Sequence, residues 1–591
     1  MIAADYHSYA VLAIILAMVV ILILDRFKTS LVFLFTAAAL VLTGVVSAED
    51  FMAGLSNSSI ITIFLLVIIT ASINLHFNLT GLFDKAFKGV KTAPSFILRM
   101  SGLVGGLSAF MNNTPVVAVM IPYVYNWAKK HKISPSKLLM PLSFAAILGG
   151  VVTLIGTSTN LVLNGLIEQA GLEPLGFFDF TIPGLLILGG AVLLMVVLAP
   201  LLLRNQDNIL AEVVENSREY LIEMRVKAGS DYVGKSIEEA GMRNLEGLFL
   251  TEIIRAERHI VPVPPREVLQ DRDILLFAGD TGALAQLNER FSDLELAKTQ
   301  QFNLVENTRV VEVIITQNSA LDYKTAKDLG FRQLYDAAII GIHRRGEKLS
   351  GKIGSIALRT GDVLLVIAGK DFFKRNSQQG DLIVLNALEE VNPLEQKRKI
   401  GFWLGAIGAI SLSAFGVIKL YEALLLLLVL QVALKMVNIE MVKNALSFDL
   451  LIVLLASLLL GDSLIRSGAA NLLTEALFSE AHLWSPMVII SSIFGVTWLL
   501  TSFVTNVAAV SIIFPLAYSL AQTAGLPYEA VFLTTAFGAS CSFITPYAYQ
   551  TNLMVLELGK YKFADYFKLG FLVSLVYGGI FLSFIYFNYI V

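Results

Sequence analysis

Two short polar stretches sit inside long apolar ones and carry groups able to bind ions. The first is Asn112-Asn113-Thr114 in "SAFMNNTPVVAVMIP", residues 108–122; the second is Thr505-Asn506 in "TSFVTNVAAVSIIFP", residues 501–515. Polar atoms without partners are costly in hydrocarbon, so these groups need a use. Amide and hydroxyl oxygens are what a hard cation takes as ligands, and N–H groups at a helix start suit an anion. A second pair of polar stretches follows: Thr153 to Asn160 in "SFAAILGGVVTLIGTSTN" and Thr545 to Asn552 in "TTAFGASCSFITPYAYQTN".

The two sets share a register. Phe110 aligns with Phe503, Asn113 with Asn506, Pro122 with Pro515, Thr153 with Thr545, Thr159 with Thr551 and Asn160 with Asn552. The spacing predicts a re-entrant helical hairpin with its tip near Asn112 to Pro115, and a helix broken near Thr153 to Thr157, each repeated in the second half. Interrupted helices meeting in inverted repeats mark the binding site of secondary transporters. Sodium ligands are then expected from Asn113, Thr153, Gly156, Asn506, Thr545 and Pro546. Substrate contacts are expected from Asn112, Asn113, Thr114, Thr157, Ser158, Thr159, Asn160, Thr505, Asn506, Thr551 and Asn552. No Lys, Arg, Asp or Glu occurs in these tips or breaks. That speaks against proton exchange through an intramembrane carboxylate.

Composition requires elements that position such a site in a bilayer. The chain is 56% hydrophobic and 15% charged over 591 residues, which excludes an ordinary soluble enzyme and indicates a polytopic membrane protein. Apolar runs near spanning length fall at about 9–25, 29–47, 58–77, 179–203, 400–416, 419–437, 449–466 and 566–590. Asn74 and Asn78 in or beside the third run read as interhelical glue. The single cysteine, Cys541, forms no internal disulfide, and no Cys/His cluster suggests a metal centre.

Between about Asn205 and Lys399 the sequence turns polar, and it repeats itself at a constant offset. Glu223 matches Glu312, Ser230 matches Ser319, Gly241 matches Gly330, Arg243 matches Arg332, Arg255 matches Arg344 and Asp273 matches Asp362. Four regions follow: membrane repeat 1 (1–204), two α+β units (205–300 and 301–396) and membrane repeat 2 (397–591). Basic residues in alternate connections, among them Arg26, Lys28, Lys129, Lys130, Lys443 and Lys560, place the insert in the cytoplasm by the positive-inside rule.

The membrane part, about 1–204 and 400–591, resembles the divalent anion/sodium symporters in its "NNTP", "TN", "GTSTN" and "ITPYAYQTN" motifs. The insert units resemble the C-terminal regulator-of-potassium-conductance (TrkA-C) domain, through the serine followed by Gly234, the Gly-x-Arg at Gly241 to Arg243, Arg255 ahead of the Pro-x-Pro at 261–265, and the Asp before the last strand. The second unit lacks the Pro-x-Pro and the glycine.

The resemblance implies an α-helical polytopic fold of two inverted repeats, about five spans each. It also implies sodium as coupling ion, an elevator-like alternating-access mechanism, a homodimer in the cell (inner) membrane, and a small ligand on the TrkA-C units. The partners implied are an inorganic divalent anion, membrane lipid and a second copy of the chain, with no nucleic acid. The family's tips usually read Ser-Asn-Thr; Val507 replaces the second threonine here, which argues against a di- or tricarboxylate and leaves room for a smaller anion, and members that carry TrkA-C inserts look most like sulfate carriers, so the resemblance implies sulfate. A regulated cation channel would call for a Thr-Val-Gly-Tyr-Gly filter, which is absent, and a cation/proton antiporter for an acid at the breaks.

Overall fold

The computed structural model describes residues 2–205, 221–242, 248–279, 291–296, 310–384 and 396–591, apart from 25–26, 77–78, 256–257, 261–262, 265, 292, 317–318, 345–346, 350–352, 370, 380, 438, 447, 479–483 and 557. Arg26, Asn78, Arg243, Pro262 and Pro265 lie outside the described residues, and the boundaries expected at 205, 300 and 396 fall in or beside such segments.

The first helical half contains α1 (Ile2–Leu24), α2 (Thr29–Leu42), α3 (Ala48–Ala53), α4 (Ser58–His76), α5 (Leu79–Ala86), α6 (Ala93–Ser108), α7 (Asn113–Lys130), α8 (Ser136–Gly150), α9 (Ser158–Gln169) and α10 (Thr181–Leu202). The insert adds α11 (Phe331–Tyr335) and α12 (Phe372–Gln379) beside its strands. The second half contains α13 (Gln396–Ala414), α14 (Leu420–Ala433), α15 (Ile439–Ala445), α16 (Phe448–Arg466), α17 (Ala469–Phe478), α18 (Pro486–Thr501), α19 (Asn506–Ala524), α20 (Tyr528–Ser540), α21 (Gln550–Leu556) and α22 (Phe563–Ile585). Taken in order, the halves match helix for helix: 14 residues in α2 and α14, 19 in α4 and α16, 16 in α6 and α18.

Contacts between the halves are reciprocal. Helix α2 packs on α16 and α4 on α14; α8 packs on α21 and α20 on α9; α7 packs on α21 and α19 on α9; α10 packs on its counterpart α22. Helices α8 and α20 form the centre, with every residue of α8 buried except Lys137 and every residue of α20 buried except Tyr528 and Glu529. A break at the end of such a helix is shielded by protein, the condition under which irregular backbone is tolerated at membrane depth.

Among the described residues five helices are long and apolar enough to cross a membrane: Tyr6–Leu24, Thr181–Leu202, Phe448–Arg466, Asn506–Ala524 and Phe563–Ile590. The run at 58–77 joins Ala48–Ser56 across a 54° bend. Two expected spans are shorter than the apolar run that announced them. At 29–47 the helix stops at Leu42, because Gly44 takes φ 75° and Ser47 and Asp50 form a capping box that starts α3. At 419–437, Lys435 at φ 58° ends α14 in the same way. Fourteen residues make a helix about 21 Å long, less than the hydrocarbon thickness.

The insert holds β1 (Leu221–Val226), β2 (Leu248–Arg255), β3 (Arg258–Ile260), β4 (Ile274–Gly279), β5 (Leu294–Leu296), β6 (Val310–Ile315), β7 (Ala337–Arg344), β8 (Glu347–Lys348), β9 (Val363–Ala368) and β10 (Leu382–Val384). The strands form two antiparallel sheets, ordered β3-β2-β4-β1-β5 and β8-β7-β9-β6-β10, the same topology strand for strand. Even the bulge recurs, between Leu250 and Glu252 and between Ile339 and Gly341. Each unit is pinned by a bidentate ion pair: Arg255 Nε and Nη2 donate to Asp273 at 2.9 Å each, and Arg344 Nε and Nη2 donate to Asp362 at 2.7 and 2.8 Å. These arginines, which carry part of the TrkA-C resemblance, serve the fold from inside.

The second unit does not stand apart from the helices. Val311, Val313 and Ile315 of β6 fill the unit's own core, so Glu312 and Ile314 face the other way, and Ile314 is buried in the core of the helical halves. Burial pushes the Glu312 carboxyl up to about 7, against the opposing field of the Lys129 ammonium. A folded-state value raised above the unfolded one stabilises fully at low pH, and that stabilisation is lost as pH climbs from about 4.5 through about 7. The loss is on the order of 3 kcal/mol. Thermal unfolding in detergent from about pH 5 to about pH 8 is expected to show Glu312→Gln gaining on the parent as pH rises; parallel curves for the two would contradict this.

Candidate functional site

Each hairpin tip is a four-residue link made by a side-chain cap. Asn112 accepts from Thr114 N at 3.3 Å to open α7, and Thr505 accepts from Ala508 N at 3.3 Å to open α19. The helix breaks lie against these tips. Thr153 Oγ1 donates to Ala109 O, and at the matched position Thr545 Oγ1 donates to Ser502 O at 2.6 Å. Asn160 Nδ2 donates to Thr153 O at 3.2 Å, and Asn552 Nδ2 to Thr545 O at 3.3 Å. The same register that aligns the sequences therefore aligns the hydrogen bonds. Thr153, Asn160, Thr545 and Asn552 satisfy carbonyls that the breaks release.

Across the halves, Asn113 Nδ2 donates to Tyr549 Oη at 2.9 Å and Thr114 Oγ1 to Gln550 Oε1 at 2.6 Å, joining the start of α7 to the start of α21. Ser143 Oγ lies 2.8 Å from Thr551 Oγ1 and 2.7 Å from Asn552 Oδ1. Ser158, Thr505, Val507, Tyr547 and Gln550 line one cavity of about 730 Å³. The starts of α9, α19 and α21 thus open on a common space, with α7 held beside it. The N–H groups and aligned dipoles at the starts of α9 and α19 favour negative charge there, while the rest of the wall carries both signs, Lys28, Arg344 and Arg359 beside Asp322, Asp362 and Asp449.

The matched clusters behind the tips differ in one respect. Asn506 Oδ1 already accepts from Thr501 Oγ1 at 2.8 Å and from Ser542 Oγ at 2.7 Å. Asn113 Oδ1 is buried, and among the described residues no donor reaches it; the same holds for Asn160 Oδ1. Gly150 stands where the second half has Ser542: a Cβ on Gly150 would meet Asn113 Oδ1 at 2.8 Å, and a Cβ on Gly156 would meet Gly150 O at 2.5 Å and Ser108 O at 2.8 Å. A side chain is thus excluded at Gly150, beside the Asn113 amide, and at Gly156, beside the carbonyls of Gly150 and Ser108.

Of the residues expected at the site, Ser158 and Thr505 line the cavity, Thr114 is bonded to the cavity-lining Gln550, and Asn112 is exposed at the tip. Asn113, Thr157, Thr159, Asn160, Asn506, Thr551 and Asn552 are buried behind that surface, as are Thr153, Gly156, Thr545 and Pro546. Sequence reasoning missed Ser143, Thr501, Ser542, Tyr549 and Gln550. Gln550 and Tyr549 precede the "TN" of the second break, as Ser158 and Thr157 precede that of the first, so the register itself was the available signal. Cys541 is fully buried.

A family model described as "Citrate transporter" matches residues 19–538 and 410–591. A Chlamydomonas reinhardtii protein named for a sulfur deprivation response regulator is 33% identical over 91% of this chain and 94% of its own length. An uncharacterised transporter of Synechocystis sp. is 31% identical over 97% of this chain and 98% of its own length. Sodium/sulfate cotransporter 2 of C. reinhardtii is 26% identical over 60% of this chain but only 41% of its own length. The extent of these matches shows that the chain belongs to the citrate transporter family, whose members are membrane transporters and not enzymes.

Proposed function

We propose that the chain is a sodium-coupled symporter of a divalent inorganic anion, with sulfate the first candidate. The observation that carries this reading is the common cavity onto which α9, α19 and α21 open at their starts, together with Asn113 Oδ1, which no donor reaches among the described residues. The helix starts hold the anion through N–H groups and the hydroxyls of Ser158, Thr505 and Thr114. The oxygen cluster of Ser108, Asn113 and Gly150 holds sodium, next to the break at Thr153 and Gly156. In the second half the corresponding set, Asn506, Thr545 and Pro546, has its amide oxygen occupied by two hydroxyls, so the first half has the stronger claim. The matched helices and reciprocal contacts support two repeats of inverted orientation, with the tip-bearing helices moving against the rest in an elevator-like cycle and two copies forming a dimer in the cell membrane. The insert then lies on the cytoplasmic side, with Lys28 and Lys129.

Sulfate is favoured by the sodium/sulfate cotransporters among the relatives and by Val507, which removes a hydroxyl from the second tip. A di- or tricarboxylate is the second reading. It is favoured by the family description and by a cavity of about 730 Å³, ample for a larger anion. Uptake competition in proteoliposomes separates them: excess sulfate or thiosulfate is expected to suppress labelled sulfate uptake while citrate and succinate do not, and the reverse order would favour the carboxylate reading.

Gly156→Ala tests the cation site. The added methyl would sit 2.5 Å from Gly150 O, inside the oxygen cluster, so sodium-dependent uptake is expected to fall at least about tenfold. Uptake with unchanged sodium dependence would move the cation elsewhere.

A further inference from the structure

The two insert units share a fold but not a surface. In the second unit, the cross-strand pair Ile314–Ile383 on β6 and β10 lies against the helical core, with Ile314 and Val363 buried in it. In the first unit the same pair is Arg225–Glu295, and that unit's buried residues form a core of their own. Where the second unit has Thr360 and Gly361 in the cavity wall, the first has Asp271 and Arg272, both solvent-exposed. Gly361 comes close enough to α21 that a Cβ would stand 3.5 Å from Leu553 O. Among the described residues, only the copy with an apolar face places side chains in the helical core.

The docked copy borders the cavity. Its wall includes Ser158, Thr505 and Gln550 at the helix starts and, from the second unit, Tyr323, Arg359, Thr360 and Gly361. Arg359 lies over the Tyr323 ring at 4.3 Å from its centre, a cation–π contact that stiffens this edge. We propose that the second insert unit is a lid on the transport cavity, and that the anion leaves toward the insert only after the lid lifts. This rests on the cavity being the transport site, and it assigns the unit a steric role in the cycle that needs no bound regulator.

The test uses the full-length protein with Cys541→Ser and a reporter cysteine at Leu553→Cys, a cavity-wall position, labelled with a membrane-impermeant maleimide from the insert's side. Labelling is expected to be slow in this parent. Giving the second unit the first unit's surface, Ile314→Arg with Ile383→Glu, is expected to raise the rate at least about tenfold. Thr360→Asp with Gly361→Arg, the first unit's residues at these wall positions, is expected to raise it as well, so a misfolded Ile314/Ile383 variant does not decide the result. Fast labelling in the parent, or an unchanged rate in both variants, overturns the lid. Neither outcome depends on uptake; loss of sodium-driven uptake in the unmodified protein would overturn the transport reading instead.

Discussion

Asn113→Ala is expected to lower sodium-dependent anion uptake at least about a hundredfold while the protein stays assembled. A hundredfold corresponds to about 2.7 kcal/mol. The structural share of Asn113 is small: one hydrogen bond from Nδ2 to Tyr549, worth about 1 kcal/mol net. Its oxygen bonds to no described group, so its removal takes nothing from the fold and everything from a cation placed among Ser108 O, Gly150 O and Asn113 Oδ1. Asn506→Ala is expected to invert the balance. It takes a shared buried acceptor from Thr501 and Ser542, leaving them Ala539 O at 2.7 and 3.4 Å, and costs about 2 kcal/mol of stability for two hydrogen bonds. Sodium titrations of uptake alongside thermal unfolding check the contrast: the larger rise in the sodium requirement belongs to Asn113→Ala, the larger loss of stability to Asn506→Ala. Equal sodium dependence in the two would remove the distinction between the halves.

Arg344→Met is expected to destabilise the second insert unit by about 3–5 kcal/mol, the cost of leaving a buried charge without its partner. Asp362 has 1% of its side chain exposed, and burial outweighs the Arg344 charge, so its carboxyl stands above the ordinary range even with the pair intact. Losing two donors to that carboxylate and one to Ala357 O leaves β9 without its anchor to the end of β7. Limited proteolysis is expected to open the second unit first and, because this unit forms part of the cavity wall, to expose Leu553. Arg255→Met breaks the equivalent pair with Asp273 in the first unit, and is expected to loosen that unit while the cavity stays covered. Matching proteolysis patterns for the two variants would contradict the separate placement of the units.

The hairpin tips and helix breaks were legible because amides, hydroxyls and prolines stand out in apolar sequence and because they occur twice. The register read from Thr153 and Thr545, or from Asn160 and Asn552, is also the register of their hydrogen bonds. What escaped is what only long-range packing creates. Ser143 reaches residues 408 and 409 positions away, and Thr114 reaches Gln550 436 positions away; nothing local marks Ser143 or Gln550 as polar partners. Apolar runs overstated α2 and α14, because hydropathy continues past Leu42 and Leu434 while Gly44 and Lys435 turn the chain. The docking of the second insert unit was carried by isoleucines that read as ordinary strand residues until their counterparts Arg225 and Glu295 are set beside them.

Uptake of labelled sulfate by proteoliposomes of the purified protein, with and without an inward sodium gradient, tests the central claim most directly. Accumulation is expected with the sodium gradient, not with an equal potassium gradient, and not with Asn113→Ala under either. Sulfate accumulation that is the same in sodium and potassium, or that survives Asn113→Ala unchanged, would contradict it.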